Sequence, residues 1–351
     1  MDQSSFNFIH VGIIADDLTS AADGGSPFVK KGLSVEVLRG STGHSLATES
    51  KVVAVDCGSR STTAGDAAKR VAHATSELAS APILYKTIDS TLRGHVREEL
   101  AAAYKSSRRN RIVIAPAFPD AGRTTINGIQ YVDGVPVSDS SYANDPVHPA
   151  TTSRITDLIS SELNGVVILD AESQGDLDTQ VAAVDNPESV LWVGSPGLAN
   201  ALAKTVACDT SRQILQPVAE QTLIVVGSAN KVSRDQARRA EQMAIATCIT
   251  VAEERKDDPN KVLADVVDKA VSALADPRIA AIIATGGDTM QALLDKLGVY
   301  AFGLIGEFEP GFPIGHTRLD NGRSLFLGMK AGGFGNPETL RSAVEYLYQN
   351  M

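Results

Sequence analysis

Ile83-Leu84-Tyr85-Lys86-Thr87-Ile88-Asp89-Ser90-Thr91-Leu92-Arg93-Gly94 is the stretch from which the rest of the chain is read. Its first half is a β-branched, largely apolar strand, and its second half gathers a lysine, a carboxylate, two hydroxyls and an arginine. A buried parallel strand ends in this way where its carboxyl edge opens onto a binding crevice, because ligands of open α/β sheets sit there. The competing reading has Ser90 or Thr91 capping the next helix while Arg93 faces water. Two upstream segments end alike. Phe8 to Ala15 runs into Asp16-Asp17-Leu18-Thr19, and Val52 to Val55 runs into Asp56-Cys57-Gly58-Ser59-Arg60. Each apolar run precedes a helix, Thr62 to Leu78 after the second, and such alternation implies parallel strands whose endings share one edge. Asp16, Asp17, Arg60, Lys86 and Asp89 are then expected to converge on one pocket. Arginine and lysine suit a carboxylate, and aspartates accept hydrogen bonds from hydroxyl groups. A small polyhydroxy acid satisfies both.

The chain has 351 residues, of which 43% are hydrophobic, enough for two domains with their own cores. A formal charge of −10 argues against nucleic acid or an anionic membrane as the main partner. It leaves room for phosphate held by local backbone amides. Cys57, Cys208 and Cys248 form no Cys-x-x-Cys pair, and the histidines show no His-x-x-x-His spacing, so no metal ligands are assigned. No basic segment precedes an apolar stretch at the N-terminus, and no run approaches the ~20 apolar residues of a membrane span. The expected location is cytoplasmic.

The fold class expected is α/β in two domains, each a largely parallel sheet flanked by helices, with a ligand cleft between them. The first domain covers 1–210. In it a helix from Thr91 to Lys105 and a strand from Arg111 to Ala117 follow the opening motif. The polar excursion Phe118 to Ser141 then interrupts the rhythm. Within it, Tyr131 to Val137 reads as a hairpin turning on Asp133-Gly134, a candidate contact with a second copy in a homodimer. A helix at Thr152 to Leu163, a strand at Val166 to Asp170, another helix, a strand at Val190 to Val193 and a helix from Pro196 complete it. Cys208 to Gln221 reads as the linker, and the second domain covers 222–351.

Three glycine turns mark the second domain. Leu223 to Val226 ends in Gly227-Ser228-Ala229-Asn230, Ile279 to Ala284 in Thr285-Gly286-Gly287-Asp288-Thr289, and Leu325 to Met329 in Lys330-Ala331-Gly332-Gly333-Phe334-Gly335. Glycines there let amides approach a ligand, and the helix that follows adds positive potential, as a phosphate cradle requires. The plainer reading is a tight strand–helix turn with Asp288 as N-cap. Neither Gly-x-x-x-x-Gly-Lys-Ser/Thr nor, after the first strand, Gly-x-Gly-x-x-Gly is present, which excludes a P-loop enzyme and disfavours a dinucleotide dehydrogenase.

Ile14-Ala15-Asp16-Asp17-Leu18-Thr19, Lys86 to Gly94, Ala115-Pro116-Ala117-Phe118-Pro119, Gly122-Arg123-Thr124-Thr125, Thr285 to Thr289 and Lys330 to Gly335 together resemble the four-carbon acid sugar kinase family. The resemblance spans essentially the whole chain. It implies ATP-dependent phosphorylation, with Mg²⁺, of the terminal hydroxyl of threonate, erythronate or 3-oxo-tetronate. It also implies an N-terminal substrate domain and a C-terminal nucleotide domain. By motif position, Asp17, Arg60, Lys86, Thr87, Ile88 and Asp89 are expected to contact the acid. Ser228, Gly286, Gly287, Asp288, Thr289 and Gly332 are expected to contact ATP. For the base, Asp17 stands ahead of Asp89 and Asp288. The chain is shorter than is usual for the family, trimmed in its second half. A ribokinase-like sugar kinase, whose glycine–aspartate motif Thr285 to Asp288 also resembles, and a non-catalytic sugar-acid sensor are the alternatives.

Overall fold

The computed structural model describes residues 8–40, 48–145, 148–208, 215–227, 230–251 and 258–349. The chain forms two compact units, Met1–Arg212 and Gln213–Met351. In the first, the order is β1 (Val11–Ala15), α1 (Leu18–Val29), β2 (Val35–Arg39), β3 (Val52–Asp56), α2 (Ala64–Leu78), β4 (Ile83–Thr87), α3 (Val96–Ser107) and β5 (Arg111–Ala115). The excursion β6 (Arg123–Ile126), β7 (Ile129–Val132) and β8 (Val135–Pro136) follows, then β9 (Val166–Ile168), α4 (Gln174–Ala182), β10 (Val190–Gly194) and α5 (Pro196–Thr205).

The main sheet of this unit runs β2-β3-β1-β4-β10-β5-β9 and is parallel throughout. From β1 the chain crosses to the β2 and β3 side, and from β4 it crosses to the opposite side. The carboxyl ends of β1 and β4 therefore flank a topological switch point, where open α/β sheets hold ligands. β1 and β3 are buried along their whole length, which explains their unbroken apolar runs. One face of the sheet is closed by Ile14, Val53, Val71, Leu78, Leu84, Leu100 and Ile112 in a single core.

In the second unit come β11 (Gln221–Val226), α6 (Lys231–Ala240), β12 (Ala246–Thr250), α7 (Pro259–Ala273), β13 (Ile279–Thr285), α8 (Gly287–Lys296), β14 (Ala301–Glu307), β15 (Pro313–Arg318), β16 (Ser324–Lys330) and α9 (Thr339–Gln349). The strand order is β12-β11-β13-β16-β15-β14. β12, β11, β13 and β16 are parallel, and β15 is antiparallel to both its neighbours. The chain reverses its direction of winding between β11 and β13, which makes a second switch point.

Two expected elements differ. The helix expected from Thr91 begins only at Val96, because Leu92 at φ 59° and Gly94 at φ 92° are left-handed and cannot open a helix. The helix expected over Thr152 to Leu163 is a single 3₁₀ turn, Ile155–Leu158. Thr152 Oγ1 accepts from Arg154 N at 3.0 Å and donates to Asp157 at 2.8 Å, the local side-chain bonding by which Ser, Thr and Asp divert a backbone from helix. The Asp133-Gly134 turn forms as expected, with φ of 49° and 80° between β7 and β8.

Candidate active site

Asp16 and Asp17 follow the last residue of β1. Asp17 is the N-cap of α1, its Oδ1 accepting from Ser20 N at 2.7 Å. Asp16 is turned inward, and its carbonyl accepts from Ser59 N at 2.8 Å and Arg60 N at 3.2 Å. Those bonds fold the β3–α2 loop over the end of β1 and lower Arg60 onto both carboxylates. Its Nε lies 2.7 Å from Asp16 Oδ2 and its Nη1 lies 2.6 Å from Asp17 Oδ2, leaving Nη2 with a 3.3 Å bond to Ser20 Oγ.

Asp89, just past β4, accepts from Thr91 Oγ1 and, at 2.6 Å, from Arg93 Nε. Arg93 Nη1 continues to Asp145 Oδ2 at 2.9 Å, and its guanidinium lies 5.0 Å from the centre of the Tyr142 ring. Gly94 completes the loop against the first ion pair. A Cβ there would stand 3.7 Å from both Arg60 Cγ and Asp16 Oδ2, and its φ of 92° already favours glycine. Beside this loop opens a cleft of about 420 Å³, lined by Leu92, Gly94, Val96, Arg97, His148 and Thr152 among others.

The six residues expected to contact the acid thus separate into two layers. Asp17, Arg60 and Asp89 are partly open to solvent, whereas Lys86, Thr87 and Ile88 are buried beneath them. Lys86 Nζ lies 2.8 Å from Glu99 Oε2 and donates to the carbonyl of Thr87, while Glu99 Oε1 accepts from Ser59 Oγ at 2.6 Å. This buried pair ties α3 to the strand end that carries Asp89. Breaking such a pair costs about 3–5 kcal/mol, because it strands a charge. Glu99 is absent from the sequence-level site, although its position three residues after Val96 and one before Leu100 sets it on the apolar face of α3. A glutamate there signals a buried cation.

Burial raises every carboxyl of the cluster, and the guanidinium and ammonium groups decide which shifts survive. Asp16 is held below the usual range because Arg60 and Lys86 outweigh its burial, and Asp89 likewise because of Arg60 and Arg93. Asp17 is pushed up, since burial and the neighbouring charge of Asp16 prevail over Arg60. Asp56, at the end of β3, is pushed up to about 7 by burial and by the charges of Asp17 and Asp16.

The second cluster stands at the other switch point. Gly286, at φ 95°, is the N-cap of α8, and no side chain caps that helix. The first-turn amides of Gly287, Asp288 and Thr289 therefore face outward with the positive end of the helix dipole. Thr289 is buried and packs so closely on Gly227 that a Cβ there would overlap its hydroxyl. Asp288 is exposed. Thr285 Oγ1 is buried with no hydrogen-bond partner among the described residues. The loop after β16 is pinned from α6, by Ser233 Oγ donating to the Gly332 carbonyl and by Gln236 Nε2 donating to Phe334 O at 3.1 Å and Asn336 O at 2.7 Å. A Cβ on Gly332 would meet nothing within 4 Å. Ser228 lies outside the described residues. Lys330, at the end of β16, was not among the expected nucleotide contacts. It is buried, and its Nζ donates to Ala331 O at 2.9 Å.

A charged, hydroxyl-accepting cluster stands at one switch point and glycine turns before an uncapped helix at another, the places where open α/β sheets of small-molecule-binding proteins hold their ligands. Residues 11–165 match the family model of a sugar-binding N-terminal domain, and residues 250–340 that of a nucleotide-binding C-terminal domain. The chain is 31% identical to a D-threonate kinase of Bordetella bronchiseptica, over 96% of this chain and 97% of that one. It is 28% identical to a D-threonate kinase of Salmonella typhimurium, over 95% and 97% of the two chains. The fold matches that of a Haemophilus influenzae protein of solved structure with a TM-score of 0.75 and 21% identity, covering 97% of this chain and 99% of that one. A Bordetella bronchiseptica protein crystallised with bound citrate as a domain-swapped dimer matches with a TM-score of 0.51 and 28% identity, over 96% and 98% of the chains. The chain belongs to the four-carbon acid sugar kinase family.

Proposed function

We propose that this enzyme, an ATP-dependent kinase of a four-carbon sugar acid, takes D-threonate as its first-choice substrate and transfers the γ-phosphate to the terminal hydroxyl. The observation that carries the reading is the convergence of Asp17, Arg60, Asp89 and Arg93 at the β1/β4 switch point, beside a cleft of a size for a four-carbon acid. The D-threonate kinases among its relatives supply the choice of acid, and the citrate bound by the Bordetella protein supports carboxylate recognition.

The acid's carboxylate sits against Arg60 and Arg93, whose Nη2 groups are the least engaged donors of the cluster. Both guanidiniums are held in place by carboxylates, so little side-chain entropy is lost when the ligand binds. Lys86 and Glu99 act from below as positioning residues. Asp17 accepts the proton of the attacking hydroxyl, and its raised carboxyl is the better matched to that task near neutral pH. The first unit is the sugar-acid-binding domain and the second the nucleotide-binding domain.

ATP's phosphates lie on the amides of Gly287 and Gly332 and on the first turn of α8, while the Gly286 amide, bonded to the Lys330 carbonyl at 2.8 Å, holds the turn in place. Mg²⁺ bound to nucleotide phosphates needs only one or two protein oxygens. Among the described residues no group of three or more His, Cys, Asp or Glu side chains gathers as a metal site. The exposed carboxylate of Asp288 fits that lesser role. The ion would supply charge neutralisation between the phosphates. A second copy docks through the β6–β8 excursion as a homodimer.

ADP release measured with and without a panel of tetronates tests the reading. Release stimulated by D-threonate supports it. Acid binding without turnover would make the protein a sensor, and stimulation by neutral sugars alone would favour a ribokinase-like enzyme.

A further inference from the structure

Lys330 presents an unusual combination of burial and poor pairing. It is 2% exposed. Its Nζ donates to the carbonyls of Ala331 at 2.9 Å and Gly332 at 3.4 Å, and no carboxylate lies within ion-pair distance among the described residues. Lys86, the other lysine buried at the end of a parallel strand, has Glu99 at 2.8 Å. A buried ammonium held only by carbonyl dipoles is desolvated without a counter-ion.

Its surroundings indicate what that counter-ion is. The Lys330 carbonyl accepts from Gly286 N at 2.8 Å, which joins the end of β16 to the uncapped start of α8. Thr285, opposite Lys330 in the β13–β16 register, keeps its hydroxyl buried and unpartnered. Gly332, whose carbonyl Lys330 touches, faces open space on its Cβ side. One cation, an orphaned hydroxyl and the uncapped first turn of α8 thus meet, and no carboxylate pairs with the cation among the described residues.

Resting on the nucleotide-binding reading of this unit, we propose that Lys330 is the cationic contact for the nucleotide's phosphates, which take the place of the carbonyls of Ala331 and Gly332 as its partners. The expected nucleotide contacts, Ser228, Gly286, Gly287, Asp288, Thr289 and Gly332, include no cation; the lysine adds the charge that makes the site select phosphate over a neutral ligand. Burial pushes its amine down to about 8, with Glu309 opposing. Asp288, in the first turn of α8, is a further charge beside the cradle among the described residues. A phosphate beside the amine must raise it again, so binding near pH 8 draws a proton from solution.

The experiment is calorimetric titration of the whole protein with ADP at pH 8 in two buffers of different ionisation enthalpy. The wild-type protein is expected to take up roughly half a proton per ADP at pH 8 and close to none at pH 6.5 from this group. Lys330→Arg should bind ADP with no such uptake, and Lys330→Met should bind about 10- to 100-fold more weakly, also without it. A lysine with a purely structural role would leave the proton count at zero in the wild-type protein, so that result overturns the proposal without recourse to any variant. Wild-type affinity in Lys330→Met also overturns it. If ADP does not bind the wild-type protein at all, the nucleotide-binding reading itself falls and takes this one with it.

Discussion

At the scale of single residues, Asp17 carries two duties that substitution can separate. It caps α1 through Ser20 N at 2.7 Å, and it presents a carboxylate held by Arg60. Asparagine caps a helix as well as aspartate does. Asp17→Asn should therefore keep its thermal stability while kcat falls by ~10²–10⁴-fold, the usual contribution of a general base. Asp17→Ala should in addition lose ~1 kcal/mol of stability with the cap. A folded, fully active Asp17→Asn enzyme would move the base to Asp89 or Asp288. Asp56 offers a separate test through pH. Its folded carboxyl titrates near 7 against an ordinary value of 3.8, so as pH rises the unfolded chain loses this proton first. Its contribution is complete below about pH 4, declines towards pH 7 and is flat above. Asp56→Asn retains an acceptor for Gly58 N, which now bonds Oδ1 at 2.8 Å. The Tm of this variant minus that of the wild type should climb between pH 4 and pH 7. A difference independent of pH would show that Asp56 titrates as an exposed aspartate does.

At the scale of elements, the glycine loop after β16 distinguishes turn from ligand seat. Gly335 has φ 83°, and a Cβ there would come 2.8 Å from Glu309 Oε1. Gly335→Ala should therefore cost about 1–3 kcal/mol of stability. Gly332 lies outside the left-handed region and has open space before it, so Gly332→Ala should fold within ~0.5 kcal/mol of the wild type and still lose ADP affinity. Unchanged ADP affinity in Gly332→Ala would leave the loop a turn and nothing more. Several strands were legible in the sequence because they are buried on both faces. β1, β3, β4 and β13 read as apolar runs for that reason. β2 and β12 did not, because β2 alternates buried and half-buried positions and β12 has no fully buried residue. The false helix at Thr152 to Leu163 arose from apolar spacing in a segment whose Thr and Asp side chains bond their own backbone.

At the scale of the whole molecule, a charge of −10 opposes two anionic ligands, so their affinity must come from local groups. Convergence at the first switch point was legible, because strand–helix alternation fixes which strand ends share an edge. The pairing of the charges was not. Arg60 meets Asp16 and Asp17, and Arg93 meets Asp89 and Asp145, through loop geometry that no local pattern encodes. Lys86 and Lys330 look alike in sequence, each closing an apolar strand, yet one is paired with Glu99 and the other only with carbonyls. Transfer of phosphate to the terminal hydroxyl of a four-carbon acid leaves a primary phosphomonoester, which proton-coupled ³¹P NMR of the product from D-threonate, ATP and Mg²⁺ detects. The expected spectrum shows a new phosphomonoester signal split into a triplet by the two protons of a terminal CH₂. A doublet from a secondary carbon, or inorganic phosphate alone, would contradict it.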